Sequence, residues 1–181
     1  GALAFAAEGA KLLLGARRVE RLEQVAAEAR KAGAPVALAH ALDVEQTTSV
    51  EMFVNWAKEQ IAHDSGGTPP KLDVLVNNAG GAHGLDPVAT AKDADWEAMM
   101  QSNVLGVLRM TRACLPLLVS NPGSLILNIG SIASRTAYEG GAAYCAAKAG
   151  ELQITRALRL ELFGTGVRVG SVARAGTAVR V

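Results

Sequence analysis

Aromatic residues make up only 4% of the 181-residue chain, and cysteine occurs just twice, at Cys114 and Cys145. Two cysteines so far apart form neither a CxxC pair nor the framework of a disulfide-stapled secreted domain, so reduced thiols in a cytoplasmic protein are expected. No segment has the unbroken apolar length of a membrane span and no signal peptide is visible, so no membrane partner is expected. Neither sign of charge is in excess, with 18 Lys and Arg against 17 Asp and Glu. No dense basic stripe is present to neutralise phosphates, which argues against a nucleic-acid partner. The three histidines, His40, His63 and His83, do not cluster at metal-ligand spacing; they are read as loop or surface residues, and no metal is expected.

What the chain does have is abundant alanine and glycine within a sequence that is 50% hydrophobic. Small side chains suit helices packed closely on a sheet, and the length suits one domain spanning 1–181. Residues 2–8 followed by Gly9 look like the tail of a helix. Residues 11–16 (KLLLGA) form an apolar run between turn signals, and residues 18–33 then space Val19, Leu22, Val25, Ala26 and Ala29 along one helical face and end at Gly33. The alternation continues with a strand at 36–44, a helix through 49–62, a polar loop at 63–71 and a strand at 72–80. A long helical stretch from Trp96 to Val119, interrupted near Pro116, precedes a strand at 124–131, a helix from 143 to 163 and a strand at 167–172. Five mostly apolar strands separated by helices predict an α/β fold, a doubly wound parallel sheet of Rossmann type with helices on both faces.

The segment AAYCAAKAGELQ (142–153) places Tyr144 and Lys148 four positions apart, hence on one helical face. A free phenol, with a pKa of about 10, is a poor proton donor or acceptor at neutral pH. An ammonium about 4 Å away, at an effective dielectric of about 20, favours the phenolate by roughly 4 kcal/mol before screening. Such a tyrosine can exchange a proton with a substrate oxygen. A tyrosine and a lysine at this spacing also arise by chance on amphipathic helices, so the pair needs company. Ser131 closes the strand LILNIGS and NNAG (77–80) closes the strand before it, both on the carboxyl rim where open parallel sheets bind ligands. Asn103, in SNVLG, lies within a helical pattern where its side chain can bond backbone groups instead of continuing the ladder. Taken singly, Ser131 and Asn103 read equally well as a cap and a turn former.

In this order and at these intervals, NNAG, NVLG, GS and YCAAK resemble the short-chain dehydrogenase/reductase family, from Ala2 to Val172. The resemblance implies Tyr144 as general acid/base, with Lys148 lowering its pKa and holding the nicotinamide ribose. It implies Ser131 as hydrogen-bond partner of the substrate oxygen and Asn103 as the residue positioning a relay water. In the cofactor-binding run Asn77, Ala79 and Gly80, the glycine and small residues would let the backbone approach the cofactor ribose and adenine edge, while the Asn amides tie adjacent strands. Asp43 and Val44 resemble the adenine-contacting pair, although Asp43 reads equally well as a helix cap. The reaction implied is hydride transfer between a nicotinamide cofactor and a small carbonyl or hydroxy compound.

Cofactor choice is legible in LLLGARR (12–18). A carboxylate after this strand would accept from a ribose 2'-hydroxyl; instead Ala16 stands there, followed by Arg17 and Arg18, which suit a 2'-phosphate. NADP is therefore favoured over NAD, the alternative being two solvated arginines near a helix start. Residues 128–169 together with ARRVERLEQ look most like the NADP-dependent 3-hydroxy acid (serine, malonic semialdehyde type) subgroup, with 3-oxoacyl thioester reductases as runner-up.

Two departures from the family pattern stand out. The opening strand and its glycine-rich turn are not among the residues, since Gly1 falls about one turn inside the first helix, and that strand would lie between KLLLG and LDVLV. At the other end, Arg174 and Ala175 take the place of a Pro-Gly turn and the chain stops at Val181. A partial domain, or ARAGTAVRV (173–181) joined from a distant segment, is expected. A catalytically silent dinucleotide-binding or scaffold protein is the rival to the enzyme, and a homo-oligomer, dimer or tetramer, is expected through helices 96–119 and 143–163.

Overall fold

The computed structural model describes residues 1–64 and 69–174, and the chain divides into two compact units, Gly1–Gly67 and Thr68–Val181. The predicted turn at Ala175 and the joined tail up to Val181 lie outside the described residues, as does part of the 63–71 loop.

The first unit runs α1 (Ala2–Ala7), β1 (Leu12–Ala16), α2 (Val19–Lys31), β2 (Ala37–Ala41) and α3 (Thr47–Asp64). β1 and β2 pair in parallel, Leu12 opposite Ala37 and Ala16 opposite Ala41. The core of this unit is alanine: Ala6, Ala26, Ala29, Ala34 and Ala37 are buried together, with Leu12, Leu14 and Ala39 packed against them. Methyl-sized side chains let α1 and α2 approach the strands closely, which is the use of an alanine-rich, aromatic-poor composition. α2 ends as its sequence predicts. Gly33 takes φ 118°, its N–H donates to Arg30 O at 3.3 Å, and Ala34 N–H donates to Ala29 O at 3.0 Å. This pair of bonds closes the last turn around a left-handed residue, a position that disfavours any side chain. On α3, Val50, Phe53, Val54 and Ala57 are buried at a helical repeat.

The second unit runs β3 (Val74–Asn77), α4 (Asp93–Met100), a π-helical segment (Gln101–Leu105), α5 (Gly106–Val119), β4 (Leu125–Ser131), a 3₁₀ turn (Ile132–Ser134), α6 (Ala142–Glu161) and β5 (Arg168–Arg174). Its three strands pair in parallel in the order β3, β4, β5, with Asn77 opposite Asn128 and Ser131 opposite Arg174. Along β4, Ile126, Asn128 and Gly130 are buried while the residues between them are half-buried. The strand is covered on both faces, as parallel strands are.

The long helix departs from expectation in where it is interrupted. Pro116 sits inside α5, which continues through it to Val119. The break comes earlier, in the π segment 101–105. There Ser102 Oγ donates to Ala98 O at 2.8 Å and Asn103 Nδ2 donates to Met99 O at 2.9 Å, so side chains compete for carbonyls of the preceding turn. The helical run Asp93–Val119 is, by length and composition, apolar enough to cross a membrane, but half of its apolar window is buried. Val107, Met110, Cys114, Leu117 and Leu118 are all buried, the signature of a core helix in an α/β fold.

Candidate active site

In the second unit, α6 packs against the 3₁₀ turn, the π segment, α4, β4 and β5. This single helix therefore gathers the carboxyl ends of the strands and the irregular part of the long helix onto its flank. Ser131 is the last residue of β4 and caps the 3₁₀ turn, its Oγ accepting from Ala133 N–H at 3.2 Å. The capping role open to Ser131 in the sequence is thus present. Ser134 Oγ donates back to Ser131 O at 2.6 Å and closes the turn.

Asn103 is 0% exposed. Besides Met99 O, its Nδ2 donates to Gly81 O at 2.9 Å, which ties the loop after β3 to the π segment. Its Oδ1 is buried and has no hydrogen-bond partner. A buried carbonyl-type oxygen without a donor is costly unless a water or ligand supplies one. Gly80, with φ 139°, lies directly beside it: a Cβ there would stand 2.4 Å from Asn103 Oδ1. A Gly80→Ala substitution combines backbone strain with this collision, and should lower stability by about 1–3 kcal/mol. A shift in the urea midpoint at unchanged slope would register it, and an unshifted midpoint would contradict the close approach. Ala79 and Gly80 are both exposed.

Asn77, Asn128 and Thr155 form a buried chain of amides and hydroxyls. Asn77 Nδ2 donates to Asn128 Oδ1 at 2.9 Å and to Thr111 Oγ1 at 3.2 Å, and Asn128 Nδ2 donates to Thr155 Oγ1 at 2.8 Å. Thr155 in turn donates to Glu151 O at 3.1 Å. The parallel register that sets Asn77 opposite Asn128 makes the first of these bonds possible. β3, β4, α5 and α6 are locked together beneath the rim by this chain.

Tyr144 and Lys148 lie one turn apart in α6. Tyr144 is half-buried, packed with Trp96, Met100 and Val104 against Met99, Ala143 and Ala147. Among the described residues its hydroxyl has no hydrogen-bond partner. Lys148 is 7% exposed. Its Nζ donates to Ile129 O at 2.8 Å and stands 3.8 Å from Glu151 Oε2, an ion pair beyond hydrogen-bonding reach. Burial pushes the Lys148 ammonium below its ordinary pKa, and the Glu151 carboxylate opposes that shift. The sequence reading missed Glu151. The signal was available in the i, i+3 spacing from Lys148 on an otherwise alanine-rich face.

In the first unit, Arg17 and Arg18 follow β1. The Arg17 side chain is 68% exposed, with Glu45 Oε1 at 3.8 Å, and Arg18 is exposed at the N-terminal boundary of α2. Asp43 is engaged locally: its Oδ1 accepts from Glu45 N–H at 3.0 Å, and its own N–H donates to Ser49 Oγ at 2.9 Å. These bonds shape the turn that precedes α3. Val44 is buried. Among the described residues no group of three or more His, Cys, Asp or Glu is arranged to hold a metal ion.

The chain belongs to the short chain dehydrogenase family, whose model matches residues 1–181. It is 38% identical over 162 residues to an NADP-dependent 3-hydroxy acid dehydrogenase of Schizosaccharomyces pombe, covering 90% of this chain and 60% of the relative. A protein of the same name from Salmonella typhi is 39% identical over 168 residues, covering 93% of this chain and 63% of its own length. The chain thus spans somewhat over half the length of these curated relatives. Among solved structures, serine dehydrogenase from Escherichia coli superposes with a TM-score of 0.81 at 34% identity, covering 94% of this chain and 74% of that one. A metagenomic short-chain oxidoreductase in complex with NADP superposes with a TM-score of 0.84 at 32% identity, covering 99% of this chain and 78% of that one. Both confirm the α/β architecture of Rossmann type.

Proposed function

We propose that the full-length protein is an NADP-dependent oxidoreductase that interconverts a small 3-hydroxy acid and its carbonyl form. The observation that carries this reading is the convergence on α6: Tyr144 and Lys148 one turn apart, with the Ser131 turn and the Asn103 segment packed against the same helix. The donor set fits the cofactor, because two exposed guanidinia follow β1 with no carboxylate at the strand end, as a phosphate monoester requires. Asn103 Oδ1, buried and unpartnered, suits a bound water.

When bound, the nicotinamide supplies or accepts the hydride at the substrate carbon. Tyr144 Oη gives a proton to the substrate oxygen in reduction and removes it in oxidation. Lys148 stabilises the negative charge that develops on the phenolic oxygen and holds the nicotinamide ribose. Ser131 Oγ hydrogen-bonds the substrate oxygen and fixes its place beside Tyr144. Asn103 holds a water from which the proton on Tyr144 is replenished. Arg17 and Arg18 take the 2'-phosphate, Asp43 and Val44 lie along the adenine, and Asn77, Ala79 and Gly80 let backbone approach the adenosine ribose. The relatives named for 3-hydroxy acids and the serine dehydrogenase neighbour support the substrate class. The free cysteines support a cytoplasmic site of action, and the exposed Leu108, Leu160 and Phe163 on and just beyond α5 and α6 support a homo-oligomer through those helices.

Incubation of the full-length protein with NADP and a panel of 3-hydroxy acids should produce reduced cofactor, with slower turnover on NAD. Absence of turnover on every hydroxy acid and carbonyl tested, at saturating cofactor, would remove the reading. Arg17→Ala and Arg18→Ala should each weaken NADP about 10- to 100-fold, the value of a charge-assisted hydrogen bond, and leave NAD unaffected. An equal loss for both cofactors would show that the arginines serve another purpose.

A further inference from the structure

α6 carries a carboxylate that the proposed reaction leaves without a task. Glu151 is 1% exposed, among the most deeply buried side chains of the second unit. Its Oε1 lies 3.4 Å from Thr155 Oγ1, sharing that hydroxyl's single proton with Glu151 O, while its Oε2 accepts no hydrogen bond and faces Lys148 Nζ at 3.8 Å. It also stands against the sheet, since a Cβ on Gly130 would lie 3.3 Å from Oε2. A carboxylate in such a place stays charged only when it is paired.

The surrounding elements offer few other charges. β4 and the π segment carry no ionisable side chain. β5 brings Arg168, exposed and opposite Leu125 at the far end of β4, and Arg174, opposite Ser131. α4 brings Asp93 and Glu97, both exposed, and Asp95, which lies beside Gly84. On α6 the ionisable neighbours one turn before Lys148 are Tyr144 and Cys145. Lys148 is the charged group that acts on Glu151, and Glu151 the one that acts on Lys148.

We propose that Glu151 is a positioning residue, the buried counter-ion that keeps Lys148 a fixed ammonium beside Tyr144 and so sets the upper pH limit of proton exchange there. The proposal rests on the function proposed above for Tyr144 and Lys148. Geometry alone gives the ammonium one hydrogen bond, to Ile129 O, and one opposite charge. Burial pushes the Glu151 carboxyl above its ordinary range and the Lys148 ammonium below its own, and each partner offsets the shift of the other. Removing the carboxylate leaves the burial in place and takes the offset away. The ammonium then releases its proton at lower pH.

Glu151→Gln keeps the shape and the Thr155 contact and deletes the charge. In the full-length protein, competitive labelling of Lys148 with acetic anhydride across pH, read by peptide mass spectrometry, reports the fraction of neutral amine. The variant should reach a given labelling at lower pH, with about tenfold more neutral Lys148 on the rising part of the curve, a conservative value for a unit charge at this distance. Should the Gln variant fail to fold, Glu151→Leu carries the same comparison. Where the wild type turns over, the alkaline limb of kcat/KM should move down with the labelling curve. Superimposed labelling curves overturn the proposal whether or not the protein turns over, and so does an unmoved alkaline limb in an active enzyme. A merely structural Glu151 would lower thermal stability and leave both profiles where they are. Absence of turnover in the wild type, with the labelling shifted, would instead remove the function proposed for Tyr144 and leave Glu151 as the counter-ion of Lys148.

Discussion

Full-length protein carrying Tyr144→Phe should bind NADPH as the wild type does and lose about 10²- to 10⁴-fold in kcat, the range for removing a positioned general acid/base. Tyr144 packs against the cluster of Met99, Ala143 and Ala147, and phenylalanine preserves that packing. What disappears is the hydroxyl, which has no hydrogen-bond partner among the described residues and therefore holds no structural bond that its loss would break. The expected pattern is a fall in kcat with little change in the unfolding midpoint. Equal turnover by the two proteins would end the assignment of Tyr144, and a large loss of stability would show that the hydroxyl serves the fold. Measuring reduced-cofactor binding by fluorescence alongside the kinetics separates a chemical defect from a binding defect.

The second large effect is expected far from any reacting atom. Asn128→Leu should destabilise the protein by about 2–5 kcal/mol, because it deprives Asn77 of its acceptor and Thr155 of its donor in a site excluded from water. Asn128 is 0% exposed and its two bonds, at 2.9 and 2.8 Å, join β3 to α6 through the middle strand of the sheet. Against a total stability of about 5–15 kcal/mol this is a large fraction. Denaturant unfolding of Asn128→Leu, Thr155→Val and the double variant gives the coupling between them. Additive losses would mean that the two side chains act independently, contrary to the geometry, while a coupling above about 0.5 kcal/mol is expected for partners in one network.

Much of the fold was legible because its signals are periodic. Short apolar runs bounded by turn residues marked all five strands, and the spacing of Val19, Leu22, Val25, Ala26 and Ala29 marked α2 up to its glycine stop. The rim position of Ser131 followed from its place at the end of an apolar run, and the irregular behaviour of Asn103 from its short amide side chain. The interruption of the long helix was misplaced at Pro116. Proline withdraws one donor and can be carried within a helix whose neighbours pack well, whereas two adjacent polar side chains that bond the preceding carbonyls re-route the ladder itself. Asp43 illustrates the other limit. Its carboxylate suited a cap or an adenine contact equally well, and the local turn in which Oδ1 accepts from Glu45 N–H, ahead of α3, was not legible in either reading. Glu151 stayed hidden because a glutamate on a helix is ordinarily read as solvated, although its i, i+3 spacing from Lys148 on an alanine-rich face pointed to a buried pair.

The π-helical segment also bears on what length changes this protein can absorb. Five residues there carry one more residue than a regular helix would need, and each residue turns a helix by about 100°. Upstream, Met99 faces the start of α6; downstream, Met110, Cys114, Leu117 and Leu118 face inward on a stripe offset by that extra step. Deleting a single amino acid between Gln101 and Leu105 would straighten the rod and swing one of these stripes into water. Evolution can therefore exchange side chains along Asp93–Val119 far more freely than it can alter the residue count of that span.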